Sequence, residues 1–155
     1  SGPVLGLALS ESVSSKFLVS CSSDKTLKMW SLDGKFKQSY LGHTNWVRER
    51  QVAHDQRVML SCSDDRTVRL WDLETAKIAV SFSDHKDAVY TCKFSPDGTC
   101  IAGGSKDGTI KLWDTRNNKL IQHYNAHNGP VNQLDFHPFG YHMSSVSDDG
   151  KIKVW

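Results

Sequence analysis

Apolar and polar residues alternate in short runs along the whole chain, and polar turns interrupt the runs every few residues. Thr67-Val68-Arg69-Leu70-Trp71 shows the unit. Its β-branched and large apolar residues suit a packed sheet. Asp64-Asp65-Arg66 before it marks a tight turn, because carboxylates there bond the local backbone. The same phrase returns as Ser22-Ser23-Asp24-Lys25-Thr26-Leu27-Lys28-Met29-Trp30, as Ser105-Lys106-Asp107-Gly108-Thr109-Ile110-Lys111-Leu112-Trp113, and as Ser147-Asp148-Asp149-Gly150-Lys151-Ile152-Lys153-Val154-Trp155. No stretch has a helical period. Short strands between turn signals spaced about 8–12 residues apart predict an all-β sandwich or propeller.

The repeat is regular. Trp30, Trp71, Trp113 and Trp155 are 41, 42 and 42 residues apart, and Asp24, Asp65, Asp107 and Asp149 keep the same intervals. His43, His85 and His127 follow one another at 42 residues, each 28 before its tryptophan. In the third unit the predicted strands are Ala88–Phe94, Cys100–Gly104, Thr109–Trp113 and Lys119–Tyr124, with turns at 95–99 and 106–108. The units run about 1–42, 43–84, 85–126 and 127–155.

Composition narrows the function classes. With 155 residues, 38% hydrophobic and 23% charged, the chain has the profile of a soluble globular protein able to bury a sizeable core. Nineteen basic against 17 acidic residues is too balanced for a nucleic-acid binder. No apolar run is long enough for a membrane helix, and no signal-peptide pattern is present. Cys21, Cys62, Cys92 and Cys100 form no CxxC pair. Cys21 and Cys62 recur at one strand position, which reads as buried thiols in a reducing compartment.

Candidate chemistry is thin. Histidine, aspartate and serine recur in every complete unit, whereas an active site occurs once, and no Gly-x-Ser-x-Gly elbow is present. The regular histidines fall in separate units, and His137 and His142 lack a further ligand cluster, so no metal site is expected. Gly103-Gly104 lies in a strand without a following helix or Lys-Ser/Thr, so it is no phosphate loop. No enzyme activity, cofactor or small-molecule substrate is expected.

The period and landmarks resemble the WD40 repeat, whose units form β-propeller blades. Gly42-His43, Trp71-Asp72 and Trp113-Asp114 carry its two signature dipeptides. Other units depart from them: Asp84-His85, Ala126-His127 and Trp30-Ser31. The resemblance covers the whole chain and implies a hydrogen-bonded network in each blade. That gives His43, Asp65 and Trp71; His85, Asp107 and Trp113; and His127, Asp149 and Trp155. The hydroxyls would come from Ser61 or Ser63, from Ser105, and from Ser145 or Ser147. Asp24 and Trp30 stand for the first unit, which has no histidine. Both chain ends are expected to be cut inside the architecture, leaving four consecutive blades of a ring of about seven; an independent four-bladed ring is the alternative.

Propellers bind partners at their faces, so positions that differ between units are the candidates for recognition. Trp46 aligns with Pro3, Ala88 and Pro130; Arg48 aligns with Leu5, Tyr90 and Asn132. Asn45, Trp46, Arg48, Arg50, Tyr90 and Asn132 are the candidate partner-binding residues, and Trp, Tyr and Arg are the types that dominate binding energy. Trp46 packing on a neighbouring loop is the competing reading. Arg50 falls where Leu7, Cys92 and Leu134 stand, so its guanidinium needs a carboxylate, with Glu49 or a neighbouring-blade acid foremost, or an outlet into the central channel. Lys28, Arg69, Lys111, Lys151 and Lys153 form a basic stripe on the third strands, read as a polar face able to attract an acidic partner.

Several stretches are similar to the centriole-proteome WD40 family, the "proteome of centriole one" proteins. They are Asp24–Trp30, Asn45-Trp46-Val47-Arg48, Ser61–Asp72, Phe94–Ala102, Leu120-Ile121-Gln122-His123-Tyr124, and Ala126-His127 before Val131-Asn132. Arg50-Gln51-Val52-Ala53-His54 departs from that family's strand and Phe-Ser-Pro turn. The resemblance implies a non-enzymatic scaffold on triplet microtubules of centrioles and basal bodies. It would support centriole assembly, stability and ciliogenesis, with tubulin and other centriolar scaffold proteins as partners and a place in the cytoplasmic cytoskeleton at the cilium base. The alternative is a WD40 adaptor of another complex, such as a ubiquitin ligase or signalling assembly.

Overall fold

Polar turns set the strand boundaries by bonding their own backbone. Asp65 Oδ1 accepts from Thr67 N at 3.0 Å and from Thr67 Oγ1 at 2.6 Å. Asp24 with Thr26, and Asp107 with Thr109, repeat the arrangement. The next turn position is left-handed in every unit: Gly108 and Gly150 at φ 77° and 75°, Lys25 and Arg66 at 72° and 70°. Glycine adopts that conformation freely, while a residue with a Cβ loses about 1–2 kcal/mol. The turn therefore prevails over side-chain identity.

The computed structural model describes residues 2–10, 16–140 and 142–155, which form fifteen strands and no helix. The first antiparallel sheet orders β1 (Val4–Leu9), β2 (Phe17–Ser22), β3 (Leu27–Ser31) and β4 (Phe36–Tyr40). The second holds β5 (Val47–Val52), β6 (Val58–Ser63), β7 (Val68–Asp72) and β8 (Ile78–Phe82). The third holds β9 (Val89–Phe94), β10 (Cys100–Ser105), β11 (Thr109–Asp114) and β12 (Leu120–Asn125). The fourth has three strands: β13 (Val131–Phe136), β14 (Met143–Ser147) and β15 (Ile152–Val154). Each sheet is one blade. The strands expected in the third unit lie within one residue of those observed.

The first strands of successive blades adjoin, β1 with β5, β5 with β9 and β9 with β13, so they form the inner wall. Between blades lie three apolar layers. Val19, Leu27 and Tyr40 of blade one meet Val47, Met59 and Trp71 of blade two. Cys62, Val68 and Phe82 meet Val89, Ile101 and Trp113, and Ile110 meets Val131, Leu134 and Met143. The terminal blades expose the same positions. Val4 is 60% exposed where Val47, Val89 and Val131 are 0%, and Ile152 is 75% exposed where Ile110 is 0%.

Inner strands are sheet edges, and their free N–H groups need acceptors. Neighbouring blades supply them. Glu49 accepts from Cys92 N at 3.0 Å, Gln51 from Phe94 N at 2.8 Å, and Thr91 from Leu134 N at 3.2 Å. Thr91 is fully enclosed. Thr91→Val keeps its shape and removes the acceptor, so it should destabilise the fold by about 1–3 kcal/mol. Equilibrium urea unfolding checks this; an unchanged midpoint would show that the bridge contributes nothing.

Candidate interaction site

The network in each blade is a buried clasp. In blade two, Trp71 Nε1 donates to Ser61 Oγ at 2.7 Å, and the same hydroxyl lies 2.8 Å from His43 Nε2. His43 Nδ1 reaches Asp65 Oδ2 at 2.8 Å. Blade four repeats this with Trp155, Ser145, His127 and Asp149 at 2.9, 2.8 and 3.0 Å. In blade one Trp30 donates to Ser20 at 2.9 Å, while Asp24 holds its turn and Lys28. Burial lowers the pKa of His43, against the raising effect of Asp65. Burial would raise Asp65 and Asp107, but bonds from His43 and Thr67 to the first, and from the Thr109 hydroxyl and the Lys86 and Thr109 N–H groups to the second, hold both well below the usual carboxylate range.

Two kinds of serine are thereby separated. Ser20, Ser61 and Ser145 face the indole. Ser22, Ser63, Ser105 and Ser147 instead accept from the turn aspartate's own N–H, and the first three donate to carbonyls of the preceding loop. Ser105 is therefore not in the clasp of blade three, contrary to the sequence reading. Gly103 occupies the clasp position, and Trp113 donates to Asp84 Oδ2 at 2.7 Å. Asp84 was missed because its sequence neighbour, His85, drew attention only to the Gly-His dipeptide.

The third-strand basic stripe is not an open polar face. Lys111 is 9% exposed, Arg69 bonds Thr67 and faces Asp65, and Lys28 pairs with Asp24. Lys153 donates to Ala126 O, and of this set Lys151 is the exposed member. The third strands of blades two and three are enclosed between blades, and Lys28 and Arg69 turn to the turn carboxylates Asp24 and Asp65.

The recognition candidates divide in space. The first and second strands of every blade lose register at one place, between Val4 and Gly6, Val47 and Glu49, Val89 and Thr91, and Val131 and Gln133. The skipped residues are Leu5, Arg48, Tyr90 and Asn132. Bulges of this kind re-aim side chains, and these four line one open cavity of about 420 Å³. Arg48 donates to both oxygens of Asp64 at 2.7 Å and lies 5.2 Å from the Trp46 ring and 5.1 Å from the Tyr90 ring. Asn132 donates to Asp148 at 2.5 Å. Trp46 remains 46% exposed, and Asn45 caps its backbone N–H. The result is an aromatic–guanidinium cluster whose charge is already balanced.

Arg50 lies apart from this mouth, lining a second cavity of about 680 Å³ at the other end of the inner strands. Its Nε is buried with no hydrogen-bond partner among the described residues. Glu49, expected as its partner, instead binds Cys92 N and Lys93 Nζ. The guanidinium fits because Gly6 faces it: a Cβ there would lie 2.8 Å from Arg50 Nη1. Cys21, Cys62 and Cys92 are buried free thiols, and burial pushes Cys21 up to about 11 against the charge of Arg50.

Ser61→Ala leaves the Trp71 indole and His43 Nε2 without their shared partner and should destabilise the fold by about 1–3 kcal/mol; urea unfolding that matches wild type would refute it. The depressed Asp65 and Asp107 give stability that is full above about pH 4 and lost as pH falls below it, since the unfolded chain takes up those protons first. The urea midpoint should fall on acidification below about pH 4, and less so in Asp65→Asn.

The family model described as WD domain, G-beta repeat matches residues 1–31, 34–72, 76–114 and 118–155. Its later repeat units begin at or just before the outer strand of one blade and end at the third strand of the next, one strand out of phase with the sheets. No curated protein matches the chain. WD40 repeats build protein-interaction scaffolds and are in general not enzymes. The clasps accord with that, because their hydroxyls are enclosed and already bonded. The chain belongs to the WD40 repeat family.

Proposed function

We propose that this WD40 protein is a non-enzymatic scaffold that meets its partner at the mouth formed by Trp46, Arg48, Tyr90 and Asn132. One observation carries the reading: four bulges in register aim four side chains that differ between units, Leu5, Arg48, Tyr90 and Asn132, into one cavity, with Trp46 against Arg48 beside it. Trp, Tyr and Arg held rigidly at the centre of a contact are the residues that contribute most binding energy. The exposed apolar faces of the terminal blades support the further proposal that these are four blades of a larger ring, with repeats at about 1–42, 43–84, 85–126 and 127–155.

For the partner, we propose the triplet microtubules of centrioles and basal bodies, with tubulin and other centriolar scaffold proteins. This would give the protein a cytoskeletal place at the cilium base and a role in centriole assembly, stability and ciliogenesis. The support is the resemblance of several stretches, among them Asn45-Trp46-Val47-Arg48, which also supplies two residues of the mouth cluster. A WD40 adaptor of another complex is favoured by a separate observation. Arg48 is neutralised by Asp64, and Lys151 is the exposed member of the third-strand cations, so neither the mouth nor that stripe presents much free positive charge to acidic tubulin.

Tagged full-length protein should concentrate at centrioles and basal bodies; exclusion from them would remove the centriolar reading. In microtubule co-pelleting, Trp46→Ala should weaken binding at least about tenfold, as truncation of a hot-spot aromatic does. Unaltered pelleting by Trp46→Ala and Arg48→Ala would place the contact elsewhere.

A further inference from the structure

The three histidine clasps are not chemically equivalent. In blades two and four a serine hydroxyl stands between indole and imidazole, accepting from Trp71 or Trp155. Its own proton is then left for the histidine Nε2, 2.8 Å away in both blades. Nε2 is therefore an acceptor, and the ring proton resides on Nδ1, which donates to Asp65 at 2.8 Å or Asp149 at 3.0 Å. One proton per ring satisfies every group.

Blade three has no such hydroxyl, because Gly103 takes its place. His85 Nε2 lies 3.2 Å from the Gly103 carbonyl. A carbonyl only accepts, so Nε2 must carry the proton. In a neutral ring Nδ1 is then a lone pair turned toward Asp107 Oδ2, itself an acceptor. The separation is 3.4 Å, longer than in either other clasp. Thr109 Oγ1, 3.3 Å from Nδ1, gives its proton to Asp107 Oδ1 at 2.5 Å.

We infer that His85 holds the opposite neutral tautomer from His43 and His127, so that blade three alone among the three clasps presents its histidine Nδ1 to the carboxylate without a proton between them. A second proton, at Nδ1, turns a contact between two acceptors into a charge-assisted bond to Asp107. Charged groups flank the ring on several segments. Asp107 comes from the turn and binds Lys86 N at 3.0 Å; Asp84 precedes His85 and binds the indole packed edge-on against it; Lys86 follows in sequence; and Lys111 sits on β11. In blade two, burial makes the His43 ring resist a second proton.

Ring-nitrogen correlation NMR on the full chain carrying ¹⁵N-histidine tests this at about pH 8, above the ordinary imidazole range. There His43 and His127 should give the Nδ1–H pattern and His85 the Nε2–H pattern. Single His→Gln variants assign the signals. Should one fail to fold, the pair Asp84→Gly and Gly103→Ser, which copies Gly42 and Ser61 of blade two, identifies His85 as the ring that changes to Nδ1–H. An Nδ1–H pattern shared by all three rings at pH 8 would overturn the inference, as would a His85 ring indifferent to the restored hydroxyl.

Discussion

A blade of this kind is apolar on both faces and cannot cover either by itself. Everything else follows from that constraint. The second and third sheets each lie between two others, and the residue that joins a sheet to the one before it is the tryptophan at the end of its third strand. Trp71 packs between Tyr40 of the preceding blade and His43 of its own, and Trp113 lies likewise between Phe82 and His85. An indole in that position brings a polar N–H into the layer, which requires an acceptor. Clasp and interface are thus one interaction: the serine or aspartate that satisfies the indole also fixes the wedge that the next blade packs against.

The inner edge obeys a similar logic with different groups. Strand N–H groups facing the axis would be orphans, and Glu49, Gln51 and Thr91 close them from the neighbouring blade. Side chains that look like a variable polar surface in the sequence are therefore structural in this wall. The freedom that remains belongs to the bulged residues. Leaving the ladder frees Leu5, Arg48, Tyr90 and Asn132 from the strand pairing, and this is what lets all four line one open cavity.

The sequence disclosed what repeats and obscured what compensates. Strand limits, turn aspartates and the histidine–aspartate pairs were legible because they keep register. The clasp of blade three was not, because two departures cancel: Gly103 removes a hydroxyl and Asp84 restores an acceptor, from a position 29 residues before the tryptophan that uses it. The third-strand cations were misread for a different reason. Alternation distinguishes two faces of a strand, but between blades both faces are enclosed, so charge there signals a buried partner rather than solvent. Thr67 and Thr109, which complete the turns, could have been found, since threonine follows the turn aspartate at the same offset in three units.

The contact of Gly6 with Arg50 bears on the order of the array. A side chain at the place of Gly6, such as stands there in the other blades as Glu49 or Thr91, would have to push the end of the Arg50 guanidinium aside. The glycine of blade one thus suits the arginine of blade two, and the two departures from the common pattern fit each other. A duplication or exchange between similar repeats would keep every turn and clasp intact and still oblige this one side chain to repack, so the seam between the first two blades carries a mark that the shared pattern does not.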